Sequence, residues 1–584
     1  MNGHQTFTEH IQARAAGTPD REALILLTEQ EGGLRPDTVT YGGLDHAARG
    51  LAAALARHVR PGDRVLIANR SRGLFVTGFL ACLYMGAIAV PVAPPGGRGH
   101  HDDRIAGIVR ETAAACVLTS VAEAADVSRL LARTGHGDVV CLPADGPVAT
   151  AAPNDAVPFV PYVPAPDTVA YLQYTSGSTR DPRGVIVTHR GLLANQRAIR
   201  RALGTREGAR LGGWLPLHHD MGLVGQLLHA LWLGGTAVLM SPAAFVKRPA
   251  NWLETVSRYR LTVSAAPDFA YEMCLNRVND SQLAGLDLSG WETAVDGGEP
   301  VDATTLAAFA ERFAPAGLRP EALTPCYGLA EATLLVSGAR DTEGPTTRAV
   351  DAAALESGLL VEPFGAAREL AHCGPPASAD VRIVDPDTRE EVPDGRIGEI
   401  WVRGESVGPG YWARPAETAA AFGCRISGGG GGYLRTGDLG AFLDGLLHVT
   451  GRLKDMIVIA GRNLYPQDLE RTVQQVSGLF GAATAFAVPG ARERIVVIQE
   501  LRTGSRYDID LAGLAAAVQQ RITEEYEVRA AGVVLVRPGT VRRTTSGKVE
   551  RAAMRRLFLR GELKPLHQRV EPEVEELLVA GRSR

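Results

Sequence analysis

Short apolar runs of strand length alternate with longer helical stretches through the first half of this chain, and that alternation constrains the fold more than any other feature. DRVLIAN (63–69), ACVLTS (115–120), TVAYLQYT (168–175), TAVLMS (236–241) and LTVSAA (261–266) read as buried strands. Between them, stretches such as LDHAARGLAAALARHV (44–59) carry one apolar helical face. Uninterrupted apolar strands need cover on both faces, which predicts α/β architecture with largely parallel sheets. At 584 residues the chain exceeds what one core serves, so several domains are expected.

The pattern changes near Arg382. VRIVD (381–385), GEIWVRG (398–404) and LLHVTG (446–451) are short strands separated by turns, a β-rich unit. From Lys454 a compact α+β segment follows. Pro-rich VPFVPYVPAPDT (157–168) reads as an exposed connector, and Gly428 to Gly432 as a surface loop. Gly73 to Gly96 is uncharged and about as long as the ~20 residues of a membrane span. Gly86 divides it and AIAVPV has strand character, so a buried helix followed by a buried strand is expected, and no transmembrane segment.

Formal net charge is −4, so no basic excess serves a nucleic-acid backbone. The seven cysteines are scattered, with no C-x-x-C pair, and the start lacks a basic region followed by an apolar one. Both point to a reducing cytoplasm.

The densest chemical signal is YTSGSTRDPRGVIVTH, Tyr174 to His189. A strand runs into Thr175, Ser176, Gly177, Ser178 and Thr179, and a second strand follows. Glycines admit close backbone approach, while N–H and hydroxyl donors suit phosphate oxygens. Arg183 adds positive charge; the spacing is not that of a Walker A loop. The alternative is a Ser/Gly-rich loop without a ligand.

This loop resembles the signature of adenylate-forming enzymes, which include acyl-CoA synthetases, fatty acyl-AMP ligases, peptide-synthetase adenylation domains and luciferases. Arg180 and Arg183 stand where that signature has glycine and lysine. Further stretches similar to the family's motifs follow in order: GWLPLHHDMGLVG (213–225), DGGEPV (296–301), YGLAEAT (327–333), YLRTGDLG (433–440), GRLKDMIVIAGRNLYPQDLE (451–470) and TTSGKVER (544–551).

The resemblance implies ATP and Mg²⁺ as cofactors. It assigns ATP or AMP binding to the phosphate loop 175–179, to Gly297, Gly298, Glu299 and Pro300, to Tyr327, Gly328, Leu329 and Ala330, and to Asp438 and Arg452. Tyr327 would stack on adenine and Asp438 would accept from the ribose hydroxyls. Thr175 and Glu331 would hold the metal, which prefers oxygen ligands. Lys548 would bridge the carboxylate and α-phosphate, two anions that otherwise repel. His219 would lie near the acyl carboxylate, and Lys454 would be the hinge of a mobile lid. The implied organisation is an N-terminal domain (1–452) of two α/β subdomains plus a β-rich one, a hinge at 453–454, and a small α+β lid (455–584).

HDMG, the AF-x-x-RP-x-x-WL run (244–253) and P-x-FAY (267–271) look specifically like fatty acyl-AMP ligases. The segment near 341–372 stands where those ligases carry an insertion that restrains the lid and goes with poor use of coenzyme A. Asp296 stands where they usually show Asn, and Ala265 and Ala266 where they show Gly, changes expected to reshape the acyl pocket. No carrier domain is legible after Lys548, so the thiol acceptor is expected to be the phosphopantetheine arm of a separate acyl carrier protein, in polyketide or non-ribosomal peptide biosynthesis. Three alternatives stand beside this reading: an acyl-CoA synthetase; an aryl or amino-acid adenylating enzyme, with Asp220 or Asp268 as ammonium partner; and a weak nucleotide-binding protein.

Overall fold

The computed structural model describes residues 4–95, 99–146, 159–175, 182–340, 346–459, 462–488, 493–502, 509–544 and 547–582. The expected strands form two large sheets. One has six strands in the order Val140–Pro143, Cys116–Thr119, Arg64–Ala68, Ile88–Val92, Val169–Tyr174, Gly184–Thr188, parallel except for the last pair. The other has eight: Leu335–Gly338, Leu323–Gly328, Thr293–Gly297, Val263–Ala266, Arg210–Gly213, Thr236–Leu239, Glu22–Gln30 and Gly33–Thr40. Its six central strands are parallel, and both edge strands run antiparallel.

Side-chain alternation along these strands explains the layering. Val65 and Ile67 join the same core as Leu24, Leu211 and Ala237, while Leu66 and Ala68 face helices 99–112 and 121–133. Ile25 and Leu27 point the other way, onto Trp252, Tyr271 and Phe309 of helices 250–259, 268–277 and 303–313. Helices 41–55, 72–85 and 189–203 fill the space between the sheets. The two expected α/β subdomains therefore share one core in five layers.

The uncharged stretch resolves as expected. Helix Arg72–Met85 begins at Ser71, whose hydroxyl accepts from the Leu74 N–H, and stops at Gly86 before the buried strand Ile88–Val92. No helix among the described residues is long and apolar enough to cross a membrane.

The β-rich unit is an antiparallel sheet of Asp380–Val384, Gly398–Arg403, Leu434–Leu443 and Leu446–Arg452. The small C-terminal domain has four strands, 480–488, 494–501, 530–536 and 567–570, with separate apolar cores on its two faces. In the segment expected to carry an insertion, strands Thr347–Asp351 and Ala367–Ala371 form a hairpin enclosing the short helix Ala352–Glu356. Val350, Leu355 and Leu360 from this region pack with Tyr465 of the C-terminal segment.

Candidate active site

One cavity of about 690 Å³ lies where the sheets, the β-rich unit and the small domain meet. It opens at the C-terminal ends of the parallel strands, where Thr175, Pro267, Gly298 and Gly328 follow strand residues, the usual place for ligands in α/β sheets. Thr175, His219, Gly297, Gly298, Tyr327, Gly328, Leu329, Ala330, Glu331, Asp438, Arg452, Lys454 and Lys548 all line it, although they span most of the chain. Ser176, Gly177, Ser178 and Thr179 lie outside the described residues. Glu299 sits beside the cavity, where Oε1 accepts the Phe269 N–H at 2.9 Å. Pro300 leads into the turn before Asp302, the N-cap of helix 303–313.

Asp438 and Arg452 are direct cross-strand partners, which places the guanidinium Nε 2.9 Å from Asp438 Oδ1. The Tyr327 hydroxyl donates to Oδ2 at 2.9 Å. Sequence reasoning left both carboxylate oxygens for ribose; the structure engages each once. Each oxygen retains a second lone pair, so ribose acceptance is compatible with this clasp. Asp438, beside it, holds the Arg452 guanidinium above its usual pKa.

Glu331 is oriented by Tyr411, whose hydroxyl donates to Oε1 at 2.8 Å, and the Arg183 guanidinium lies 5.2 Å from the centre of the Tyr411 ring. Loss of solvent pushes the Glu331 carboxyl up. With Oε1 held, Glu331 could present Oε2 to a hard cation, and the Thr175 hydroxyl suits the same chemistry. The backbone of Thr175 is fixed by its N–H to Arg183 O (3.1 Å) and by Arg104, which donates to its carbonyl at 3.0 Å.

Lys548 enters from the small domain. Gly547, at φ +92°, turns the chain so that its α-carbon packs against Phe269; a Cβ there would lie 2.7 Å from the ring. The Lys548 Nζ comes to rest beside Gly298, among the charges of Asp220, Glu299 and Asp438. Desolvation, then the Arg452 charge, lowers the lysine below its usual range, and the three carboxylates oppose this. Loss of solvent also drives His219 well below its ordinary value, with His218 and Lys548 adding to it, so the ring is neutral at physiological pH.

Asp220 caps the π-helix Met221–Leu228 by accepting the Met221 N–H at 2.8 Å. Met221 and Gly225 of that helix line the cavity beside the apolar part of its wall, the apolar arm. Ile199, Leu203, Leu215, Val263, Val295 and Leu335 line this arm. Ala265 lines the cavity too, but Asp296 lies behind the lining, fully buried, and does not narrow the arm. Asp268 accepts the Asp302 N–H at 2.9 Å and likewise stays behind it. Tyr411, Arg104 and Glu399, which accepts from the Gly437 N–H at 3.0 Å, escaped sequence reasoning. Each carries no local signal: tyrosine in GPGYW reads as an ordinary turn-and-core residue, and only tertiary contact joins it to Glu331.

A cavity with clustered cations at one end and an apolar arm at the other, closed by a small domain that carries a lysine, defines an adenylate-forming enzyme. The chain belongs to the AMP-binding enzyme family, whose profile matches residues 11–412. Residues 454–568 match the AMP domain of the Disco-interacting protein 2-like family. The chain is 37% identical to a medium-chain-fatty-acid–[acyl-carrier-protein] ligase of Moorena producens, over 97% of each chain. It is also 37% identical to a 4-hydroxyphenylalkanoate adenylyltransferase of Mycobacterium tuberculosis, covering 96% of this chain and 93% of that one. A fatty acyl-adenylate ligase from L. pneumophila, solved with acyl adenylate and pyrophosphate, superposes with a TM-score of 0.74 at 32% identity, covering 97% of this chain and 98% of the other.

Proposed function

We propose that this enzyme activates a fatty acid as its acyl-AMP and passes the acyl group to the phosphopantetheine thiol of a separate acyl carrier protein. The carrying observation is the two-armed cavity, with Arg452, Lys454, Arg183 and Lys548 at one end and aliphatic side chains along the other. The names of the relatives support both the acid and the carrier.

A carboxylate oxygen attacks the α-phosphorus, the bond to the β-phosphate breaks, and its electron pair leaves with pyrophosphate. Lys548 Nζ bridges acid and α-phosphate and offsets the growing charge. The clasped Asp438 holds ribose, and Tyr327 flanks adenine. Neutral His219 orients the acyl carboxyl at the mouth of the apolar arm. Loop 175–179, of which only Thr175 lies among the described residues, would supply donors to the terminal phosphates. Thr175 and Glu331 would hold Mg²⁺, which when bound neutralises phosphate charge. In the second half-reaction the carrier thiol attacks the acyl carbonyl and AMP leaves. With Lys548 lining the cavity, residues 455–584 act as a lid on the base 1–452, turning about Leu453 and Lys454 to admit the thiol. The seven unbridged cysteines suit a reducing cytoplasm.

An amino-acid substrate is disfavoured because Asp220 already faces a backbone N–H and the Lys548 charge. Mass spectrometry of one reaction tests the reading, with enzyme, Mg-ATP, a panel of fatty, aryl and amino acids, and excess coenzyme A. Acyl-AMP from fatty acids without acyl-CoA is the expected result. Abundant acyl-CoA, or consumption of aryl or amino acids only, would overturn it.

A further inference from the structure

The apolar lining reaches from Gly298, past the strand ends, to Val263 at the start of strand Val263–Ala266 and Leu203 at the end of helix His189–Leu203. Ala265 and Val263 of this strand both line it, two residues and roughly 7 Å apart at the rise of a β-strand. At that far end two walls must meet: the last turn of helix His189–Leu203 and the start of strand Thr293–Gly297.

What joins them is polar. Arg340, just past edge strand Leu335–Gly338, donates from one guanidinium nitrogen to the Leu203 carbonyl and, at 3.0 Å, to the Thr293 hydroxyl. The Thr293 hydroxyl itself lies 3.5 Å from the same carbonyl. The other guanidinium nitrogen lies 3.5 Å from Glu292 Oε2, at the protein surface. Inside this tie, Leu203 and Cys326 converge on Gly338; a Cβ there would stand 3.4 Å from the Cys326 sulfur and 3.6 Å from Leu203 Cδ2. Leu203 and Cys326 line the cavity, whereas the Arg340 side chain is only 16% exposed and lies beyond them.

We infer that Arg340, held by Leu203, Thr293 and Glu292, is a specificity-determining residue that closes the floor of the acyl arm and sets the longest straight chain the enzyme accepts. The inference rests on the apolar arm being the acyl site. A guanidinium is well suited to such a floor, because its fork ties two walls at once and its charge resists burial against a methyl terminus. A longer acid must either displace Leu203 or push its tail against an ion-paired cation.

The test is a chain-length profile of kcat/KM for acyl-AMP formation, taken over straight-chain acids of increasing length with three variants. Arg340→Ala opens the floor and should raise the preference for acids longer than the wild-type optimum by about tenfold, with the shorter acids retained. Glu292→Ala, a milder change at the surface, should move the profile the same way to a smaller extent, and it covers the case in which Arg340→Ala folds poorly. Val263→Phe fills the far end of the arm and should shift the optimum to shorter acids. If Val263→Phe shifts the profile while folded Arg340→Ala and Glu292→Ala both keep the wild-type optimum, the floor assignment is overturned and the acyl arm stands. An unshifted profile in Val263→Phe overturns the acyl arm itself, and the floor with it.

Discussion

Lys548 has meaning only where it ends up. A lysine in a Ser-Gly-Lys turn is ordinarily solvated, yet here its ammonium stands among Asp220, Glu299 and Asp438 with its pKa lowered by desolvation. Lys548→Ala should cut acyl-AMP formation by roughly a hundredfold or more while ATP binding persists, as isothermal titration would show. The cationic form must dominate for the bridge to work, so the alkaline limb of the rate profile should fall at lower pH than an ordinary lysine gives. The residual rate of the Ala variant should lack that limb. Asp296 supplies a second residue-scale expectation. Burial, and the Asp268 charge beside it, push its carboxyl well up, and desolvation raises Asp268 to about 7. Carboxyls raised in the folded state bind protons more tightly there than in the unfolded chain. Their contribution is complete below the ordinary carboxylate range and falls as pH rises above it, that of Asp268 being lost through about 7. Asp296→Asn should therefore flatten the fall in melting temperature as pH rises from the ordinary carboxylate range toward about 7; an unchanged slope would refute the pairing.

At the scale of elements, two short pieces position the chemistry. The turn carrying Gly547 packs on Phe269 and so presents Lys548 to the cavity. In Gly547→Ala the added methyl meets that ring and the backbone is strained at positive φ, by roughly 1–2 kcal/mol for the conformation alone. Adenylation should slow about tenfold or more, while transfer from preformed acyl-AMP to the carrier stays near wild type. Equal losses in both half-reactions would point instead to general unfolding. The Tyr411 segment does for Glu331 what the turn does for Lys548. Tyr411→Phe removes one hydrogen bond to a carboxylate, worth roughly 1.5–3 kcal/mol, and should raise KM for Mg-ATP by about tenfold or more in steady-state kinetics.

Across the whole molecule, ion pairs join the small domain to its base. Arg471 meets Asp302 at 2.6 Å, and Arg551 is gripped by Glu470 and Asp455 within the C-terminal segment. The insertion hairpin adds Arg368 to Asp468 and Arg462 to Glu356, beside the apolar contact of Tyr465 with Val350 and Leu355. A restraint of the small domain by this segment, if it acts as proposed, would run through these contacts. Removing Arg368 and Arg462 together should loosen the lid and allow measurable acyl-CoA formation, read by mass spectrometry; a double variant that remains blind to coenzyme A would separate the restraint from acceptor choice.

The α/β alternation, the β-rich unit and the C-terminal α+β segment were legible in the chain, because apolar periodicity is a local property that burial enforces. Ordered motifs likewise placed Thr175, Tyr327, Glu331, Asp438, Arg452 and Lys548 in one site, since each needs its own residue type in its own turn. What sequence could not carry is long-range pairing. The two α/β units proved to share a single core because strands far apart in sequence stack their alternate faces on common helices. Asp438 proved to be clasped by Tyr327 and Arg452, and Glu331 by Tyr411, through contacts that depend on sheet register. Asp296, expected in the acyl pocket, faces away from it because strand alternation there turns every second side chain inward. The floor at Arg340 exists only where a helix end, a strand start and an edge strand converge, and nothing local marks that arginine among so many others.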